Sequence, residues 1–276
     1  VSESFEFVLD SVEASVIGQA LGVEVRRFPL RFRHSTADPL RRMKLAALVT
    51  ERLARRGLVA GDRLHPRLTE AFELFTEPRV TAAISGIDGL GADIAVLALT
   101  DGARALGVTQ PPGGDELLFA LFSDDDLVDV LAGVLPALRA AEGTPATVRW
   151  SVTGPRSALA ARRAAAQRHD DEETAAFGDL RIADLVEPPA PRGHRADSDE
   201  HRLRRALAGR RLGGGHITVT GRGDRGAPHS VSWLDTETGR YLVHTEELGH
   251  DIVARYEPAG HHEVTRALRD AVSRAY

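Results

Sequence analysis

Residues 231–245 read VSWLDTETGRYLVHT. Two apolar runs, VSWL and RYLVH, flank the polar stretch DTETG. That order predicts a β-hairpin. Asp235 and Thr236 can hydrogen-bond the turn backbone, and Gly239 can take a positive φ at little cost. Trp233 and Tyr241 fall on adjacent strands, where they pair or face the core. The hairpin reads as architectural. It fixes the C-terminal half of a sheet and leaves function to a surface elsewhere.

Around it the strand pattern continues over Ile217–Thr220, Ser230–Leu234, Tyr241–Thr245 and Ile252–Tyr256, and a closing helix from Pro258 buries Val264, Leu268 and Val272. The same order occurs upstream. Val80–Ser85, Asp93–Leu99, Ala103–Thr109 and Glu116–Phe122 are predicted strands, separated by the glycine-containing turns GIDGLG, TDG and QPPGGD. Ser123 then opens a helix, with Asp126 close to a capping box and an apolar stripe of Leu127, Val130, Leu131, Val134, Leu135 and Leu138. Four strands followed by a helix, twice, predicts two halves related by an approximate two-fold axis.

Before this repeat, Phe5, Phe7 and Leu9 alternate with polar neighbours, Val8 excepted, and predict an opening strand. Ser11 is the expected cap of the next helix, with Val12, Val16 and Ala20 on one face. Phe28-Pro29-Leu30 reads as extended. Thr36–Arg56 reads as a long helix, with Pro39 in its first turn and Gly57 as its stop. A helix from Pro66 is expected to bury Leu68, Phe72 and Phe75. Between the repeats, Thr147–Val152 predicts a strand, and Arg156–Gln167 and Arg202–Ala208 predict helices. The charged, proline-bearing stretch 169–199 predicts a mobile linker.

Composition narrows the function. The 276 residues are 42% hydrophobic and 5% aromatic, with a net charge of −5, so no basic excess points to nucleic acid. Cysteine is absent, which removes disulfides and thiolate metal ligands from consideration. The sequence has no apolar run of membrane-spanning length, and VSESFEFVLD has no signal-peptide pattern; a cytoplasmic protein is the expectation.

Chemical motifs are weak. GRGDRG at 221–226 has the G-x-G-x-x-G spacing, but Pro228 and a further strand follow where a phosphate site needs a helix. His261-His262-Glu263 resembles the start of H-E-x-x-H, yet position 266 is Arg. His244, His250, His261 and His262 remain the basis of an alternative reading, a His/carboxylate-cluster metal-dependent hydrolase. Lys44, the sole lysine, sits beside Arg41 and Arg42 on a helix and reads as solvated. The acidic run Asp124-Asp125-Asp126 suits a helix N-terminus. The arginines at 162–168 and 202–211 lack interleaved aromatics for base stacking.

Taken together, RFPLRF (27–32), ARRGLVAGDRLHPRLTEAFELFTEPRV (54–80), RRLGGGHITVT (210–220) and VSWLDTETGRYL (231–242) resemble the EspG family, the cytosolic chaperones of ESX, or type VII, secretion in actinobacteria. The resemblance covers nearly the whole chain. Its most specific parts are W-x-D-T-x-x-G-R-Y-L and the glycines before the strand at 217. It implies an α+β fold: a central antiparallel sheet flanked by helices, with a quasi-two-fold pseudo-repeat. It also implies one domain over 1–276, made of an N-terminal half 1–145 and a C-terminal half 146–276. The implied activity is non-catalytic and without cofactor: binding the helical tip of a PPE-type protein in a PE–PPE pair and keeping it soluble for secretion. Neither nucleic acid nor membrane is an implied partner, and a homodimer stays open. In the family a loop between the second and third strands contributes to the grip, together with the sheet and the C-terminal helical part. Mapped here, it is Gly86, Ile87, Asp88, Gly89, Leu90 and Gly91, with Ile87 and Leu90 as its apolar members.

Limited proteolysis is expected to cut first within 169–199, where composition offers no core to offset ordering entropy. The two fragments should stay associated. A first cut inside either set of strands would contradict the linker assignment.

Overall fold

The computed structural model describes residues 4–33, 38–61, 63–151, 199–223, 228–248 and 251–276. The predicted helix 156–167, the linker up to 198 and His250 lie outside them. Two compact units are present. The first comprises 1–142, 211–242 and 258–276, and the second 143–210 and 243–257.

In the first unit, β1 (Phe5–Asp10) runs directly into α1 (Ser11–Leu21). The cap is Asp10, not Ser11. Its Oδ1 accepts the Glu13 N–H at 2.7 Å, and Glu13 Oε2 accepts the Asp10 N–H at 3.1 Å. Ser11 instead donates to Asp115 Oδ1 at 2.5 Å. The reciprocal cap sets the helix phase, so Ala14, Ile17 and Gly18 are buried while Val12 and Val16 are half-covered and Ala20 is exposed. Gly22, in the left-handed region, ends the helix. Glu13 is buried but paired with Arg52 (3.3 Å) and Arg56 (2.8 Å) of the next helical segment.

Phe28 and Pro29, expected to be extended, form a turn across a cis peptide bond, and the Leu30 N–H donates to Arg27 O at 3.0 Å. Helix α2 (Pro39–Arg55) starts at Pro39 behind an Asp38 cap and stops before Gly57, whose φ is 71°. The short pair β2 (Val59–Ala60) and β3 (Arg63–Leu64) leads to α3 (Pro66–Thr76), which buries Leu68, Phe72 and Phe75 as expected.

The meander follows: β4 (Val80–Ile87), β5 (Asp93–Thr100), β6 (Arg104–Thr109) and β7 (Glu116–Ser123). A short 3₁₀ turn over Asp124–Asp126 opens α4 (Leu127–Val134). This helix is shorter than expected. Leu135 precedes Pro136 and is extended (ψ 137°), so Leu138 lies beyond the helix. After 142 come β8 (Ala146–Ser151) and α5 (Asp199–Ala208), both in the second unit. The second meander is β9 (Arg211–Gly221), β10 (His229–Thr236), β11 (Gly239–Leu248) and β12 (Asp251–Pro258), closed by α6 (His261–Ala275).

Strand order in the first unit is β1-β7-β6-β5-β4-β9-β10 and the start of β11. In the second unit, the rest of β11 is followed by β12 and β8. The predicted repeat is therefore visible in the connectivity. Each meander ends in a helix, and each last strand takes an earlier strand as its antiparallel neighbour, β1 on β7 and β8 on β12. The repeats join through antiparallel β4 and β9, with Ile84 opposite Ile217.

Strand alternation divides the first unit's core. Leu97, Leu99, Leu106, Val108, Leu117 and Phe119 face α1–α3. Val96, Ala98, Ala105, Ile217, Val231 and Trp233 face α4 and α6. Strands β5 and β6 are thus apolar on both faces, because helices cover both.

The Trp233 hairpin is built differently from expectation in one respect. Thr236 does serve the turn, its hydroxyl donating to Gly239 O at 2.9 Å. Asp235 does not. It takes a bidentate pair from Arg240, Nε to Oδ1 at 2.6 Å and Nη2 to Oδ2 at 2.8 Å, with both side chains at most 5% exposed. Arg240 also donates to Pro136 O at 2.7 Å, and its backbone joins Arg139, Ala141 and Ala259 at 2.9–3.0 Å. Removing one member of a buried pair leaves an uncompensated charge, at a cost of about 3–5 kcal/mol. Asp235→Ala should lose stability of that order in urea unfolding. The double change Asp235→Leu, Arg240→Met should lose less than the single one. A single change costing under about 1 kcal/mol would show that the pair does not hold the hairpin.

Candidate partner-binding site

The expected client loop lies at the tip of the β4–β5 hairpin, but its first two residues belong to the ladder. Gly86 pairs with Ile94 and Gly215, and Ile87 with Asp93 and Gly214. Ile87 is half-buried, whereas Leu90 is 94% exposed. The connection is therefore 88–92, and its conformation is specified by hydrogen bonds. Asp88 Oδ1 accepts from the N–H groups of Leu90 (2.8 Å) and Ala92 (2.9 Å). The Asp88 N–H donates to Ala92 O at 2.9 Å, and the Gly91 N–H to Asp88 O at 3.0 Å. Gly91 has φ 81°, which a side chain would strain. Leu90 is thus presented to solvent on a braced tip.

The tip is braced from below as well. Trp233 stands opposite Gly215 on β9, and Gly215 stands opposite Gly86 on β4. A Cβ on Gly86 would meet the Trp233 ring at 2.8 Å and Gly214 O at 2.5 Å. A Cβ on Gly215 would collide with the same ring and with Ser85 O. The glycines before residue 217 are therefore strand residues, and the missing side chain of Gly215, with that of Gly86, makes room for one indole. Trp233 is 3% exposed and lies in the α4–α6 core. Tyr241, next to the core residue Leu242 along β11, is buried on the opposite face, so the two aromatics do not pair.

The other sequence candidates are dispersed. His244 Nε2 lies 3.7 Å from Glu257, and His262 Nδ1 lies 3.5 Å from Glu263. Among the described residues no group of three His, Cys, Asp or Glu side chains is placed to hold a metal ion. Of GRGDRG, residues 221–223 are described: Gly221 ends β9, and Arg222 reaches Glu77 Oε2 at 2.9 Å. Lys44 is exposed on α2. Arg204 and Arg205 belong to α5, and 162–168 lie outside the described residues. No helix of the described residues is long and apolar enough to cross a membrane.

The acidic run is partly engaged. Asp124 Oδ1 accepts from the Thr100 hydroxyl and, at 2.5 Å, from the Tyr276 phenol. Burial, with the Asp124 carboxylate beside it, pushes the Tyr276 hydroxyl up to about 12. The phenol is therefore a fixed hydrogen-bond donor that ties the residue after α6 to the turn before α4, and Arg79 covers its ring at 4.8 Å. Glu263 is held below the ordinary carboxylate range because its carboxylate accepts the Gly260 N–H at 2.8 Å. It thereby closes the α6 N-terminus. These perturbed groups are structural ties.

No curated protein matches the chain. Among solved structures, the chain is similar to the Mycobacterium tuberculosis type VII secretion system chaperone EspG5 in complex with a PE25-PPE41 dimer. The match has 12% identity and a TM-score of 0.63, and it covers 98% of this chain and 96% of that one. At that identity the likeness is one of fold. The family model described as the EspG family matches residues 10–270. The chain belongs to the EspG family.

Proposed function

We propose that this protein is a non-catalytic cytoplasmic chaperone that binds the helical tip of a PPE-type protein, as part of a PE–PPE pair, and keeps it soluble for type VII secretion. The observation that carries the reading is the family match over residues 10–270, joined to a fold likeness that covers nearly the whole chain. The structurally similar EspG5 was solved with a PE25-PPE41 dimer. Metal-dependent hydrolysis gains no support: His244 and His262 each lie beside a single carboxylate, and no group of three metal-ligating side chains occurs among the described residues. Co-expression with the helical secretion substrates encoded beside its gene tests the proposal. A soluble stoichiometric complex is expected, and separate elution of every such pair would sink it.

Within this reading, Gly86–Gly91 contributes to the grip, with Leu90 as the contact residue. An exposed leucine contributes little to the free protein, yet burying it in a complex gives roughly 1.5–3 kcal/mol. Leu90→Asp should leave the melting temperature unchanged and weaken client binding tenfold or more, since about 1.4 kcal/mol corresponds to a factor of ten. Half-buried Ile87→Asp should lower both. Calorimetry on each variant, with and without client, separates the two. Unchanged affinity in Leu90→Asp would place the grip elsewhere.

A further inference from the structure

A second surface of the first unit is an exposed apolar groove. In β7, Leu117, Phe119 and Leu121 face the α1–α3 core, so Leu118, Ala120 and Phe122 point to the other side. There Val8 of β1 lies opposite Leu118, and Glu6 opposite Ala120. The solvent side of an antiparallel sheet is ordinarily polar. Here it is apolar, and the facing side of α4 adds Val130 and Val134. Together they line a groove of about 760 Å³. Val8, Leu118 and Val130 are each about 40% exposed within it.

Its charge has one sign. Glu6, Asp126 and Asp129 line the groove and are exposed. No Lys, Arg or His lines it, and none of these three carboxylates has an ion-pair partner among the described residues. An apolar floor with unpaired carboxylates calls for a ligand that is apolar on one side and cationic beside it. The groove runs over the sheet face between the end strand β1 and α4, which suits a helix laid beside a helix.

We propose that this groove docks one amphipathic helix of a partner protein, seated by its apolar face and flanked by Lys or Arg residues that meet Glu6, Asp126 and Asp129. The proposal rests on the reading that the chain binds helical proteins. It adds a surface, apart from the β4–β5 tip, and the chemistry of what fits it.

Two synthetic amphipathic peptides with the same leucine stripe, one flanked by Lys and Arg and the other by Glu, provide the probes. Fluorescence anisotropy with the full chain should show the basic peptide binding at least tenfold tighter, with the difference shrinking as salt rises. Leu118→Lys should abolish binding of the basic peptide, and circular dichroism should show it folded. The neutralised variant Glu6→Gln, Asp126→Asn, Asp129→Asn should bring the two peptides within about threefold of each other. Equal binding of both peptides by the unaltered protein, or a preference that survives neutralisation, overturns the proposal. Self-association that disappears in Leu118→Lys would assign the groove to a second copy and overturn it too. If the co-expressed client complex forms normally while the peptides show no preference, the groove assignment fails and the chaperone reading stands. Charge-dependent peptide binding without any client complex would keep the groove assignment and remove the chaperone reading.

Discussion

The bidentate contact between Arg240 and Asp235 organises much of the first unit. Two opposite charges have been taken out of water, and such a pair is tolerable only when its remaining donors and acceptors are satisfied. That requirement draws in Pro136 O by way of Arg240 Nη2, while the Arg240 backbone holds Arg139, Ala141 and Ala259. The segment leaving α4 and the segment entering α6 are therefore fastened to one residue of one hairpin. Gly239 belongs to the same arrangement: its φ is 127°, and a Cβ there would lie 2.6 Å from Ala140 O. The consecutive Gly239 and Arg240 thus have linked reasons, one making room for the segment and the other binding it.

Trp233 imposes a second constraint from the same hairpin. An indole laid across two strands needs those strands to lack side chains beneath it, and Gly215 and Gly86 meet that need. The consequence reaches the β4–β5 tip. The glycines that admit the ring also carry the ladder to Ile87, and Asp88 then turns the chain over hydrogen bonds that leave Leu90 outside. The hairpin in this way sets the position of a surface residue two strands away. Such a surface suits recognition of another protein, where function depends on shape and exposed apolar area more than on a reactive group.

Electrostatics support the same view. Two of the groups whose titration is displaced, Tyr276 and Glu263, are held by hydrogen bonds that tie helix ends to their surroundings. Glu6, Asp126 and Asp129, without an ion-pair partner among the described residues, lie on the exposed groove beside α4.

Much of this was legible in local sequence. Period-two apolar runs bounded by glycine turns located both meanders, and Pro39, Gly57 and Pro66 marked helix ends, because backbone geometry at such residues depends on few neighbours. Val8, the residue that broke the alternation of the first strand, was an early sign of the groove. Other features depended on partners distant in sequence. Asp235 reads as a turn residue until Arg240 is seen to take it, and Ser11 as a cap until Asp10 and Glu13 close on each other. Gly86 and Ile87 read as loop until β9 pairs beside them. Val130 fits the helical stripe of α4, yet it is exposed, with no element among the described residues covering the sheet opposite it. The sequence by itself determined which residues are apolar, at what period, and where the chain turns. Only the tertiary structure decided which apolar faces are covered, since burial depends on the neighbour that arrives and not on the strand or helix that offers the face.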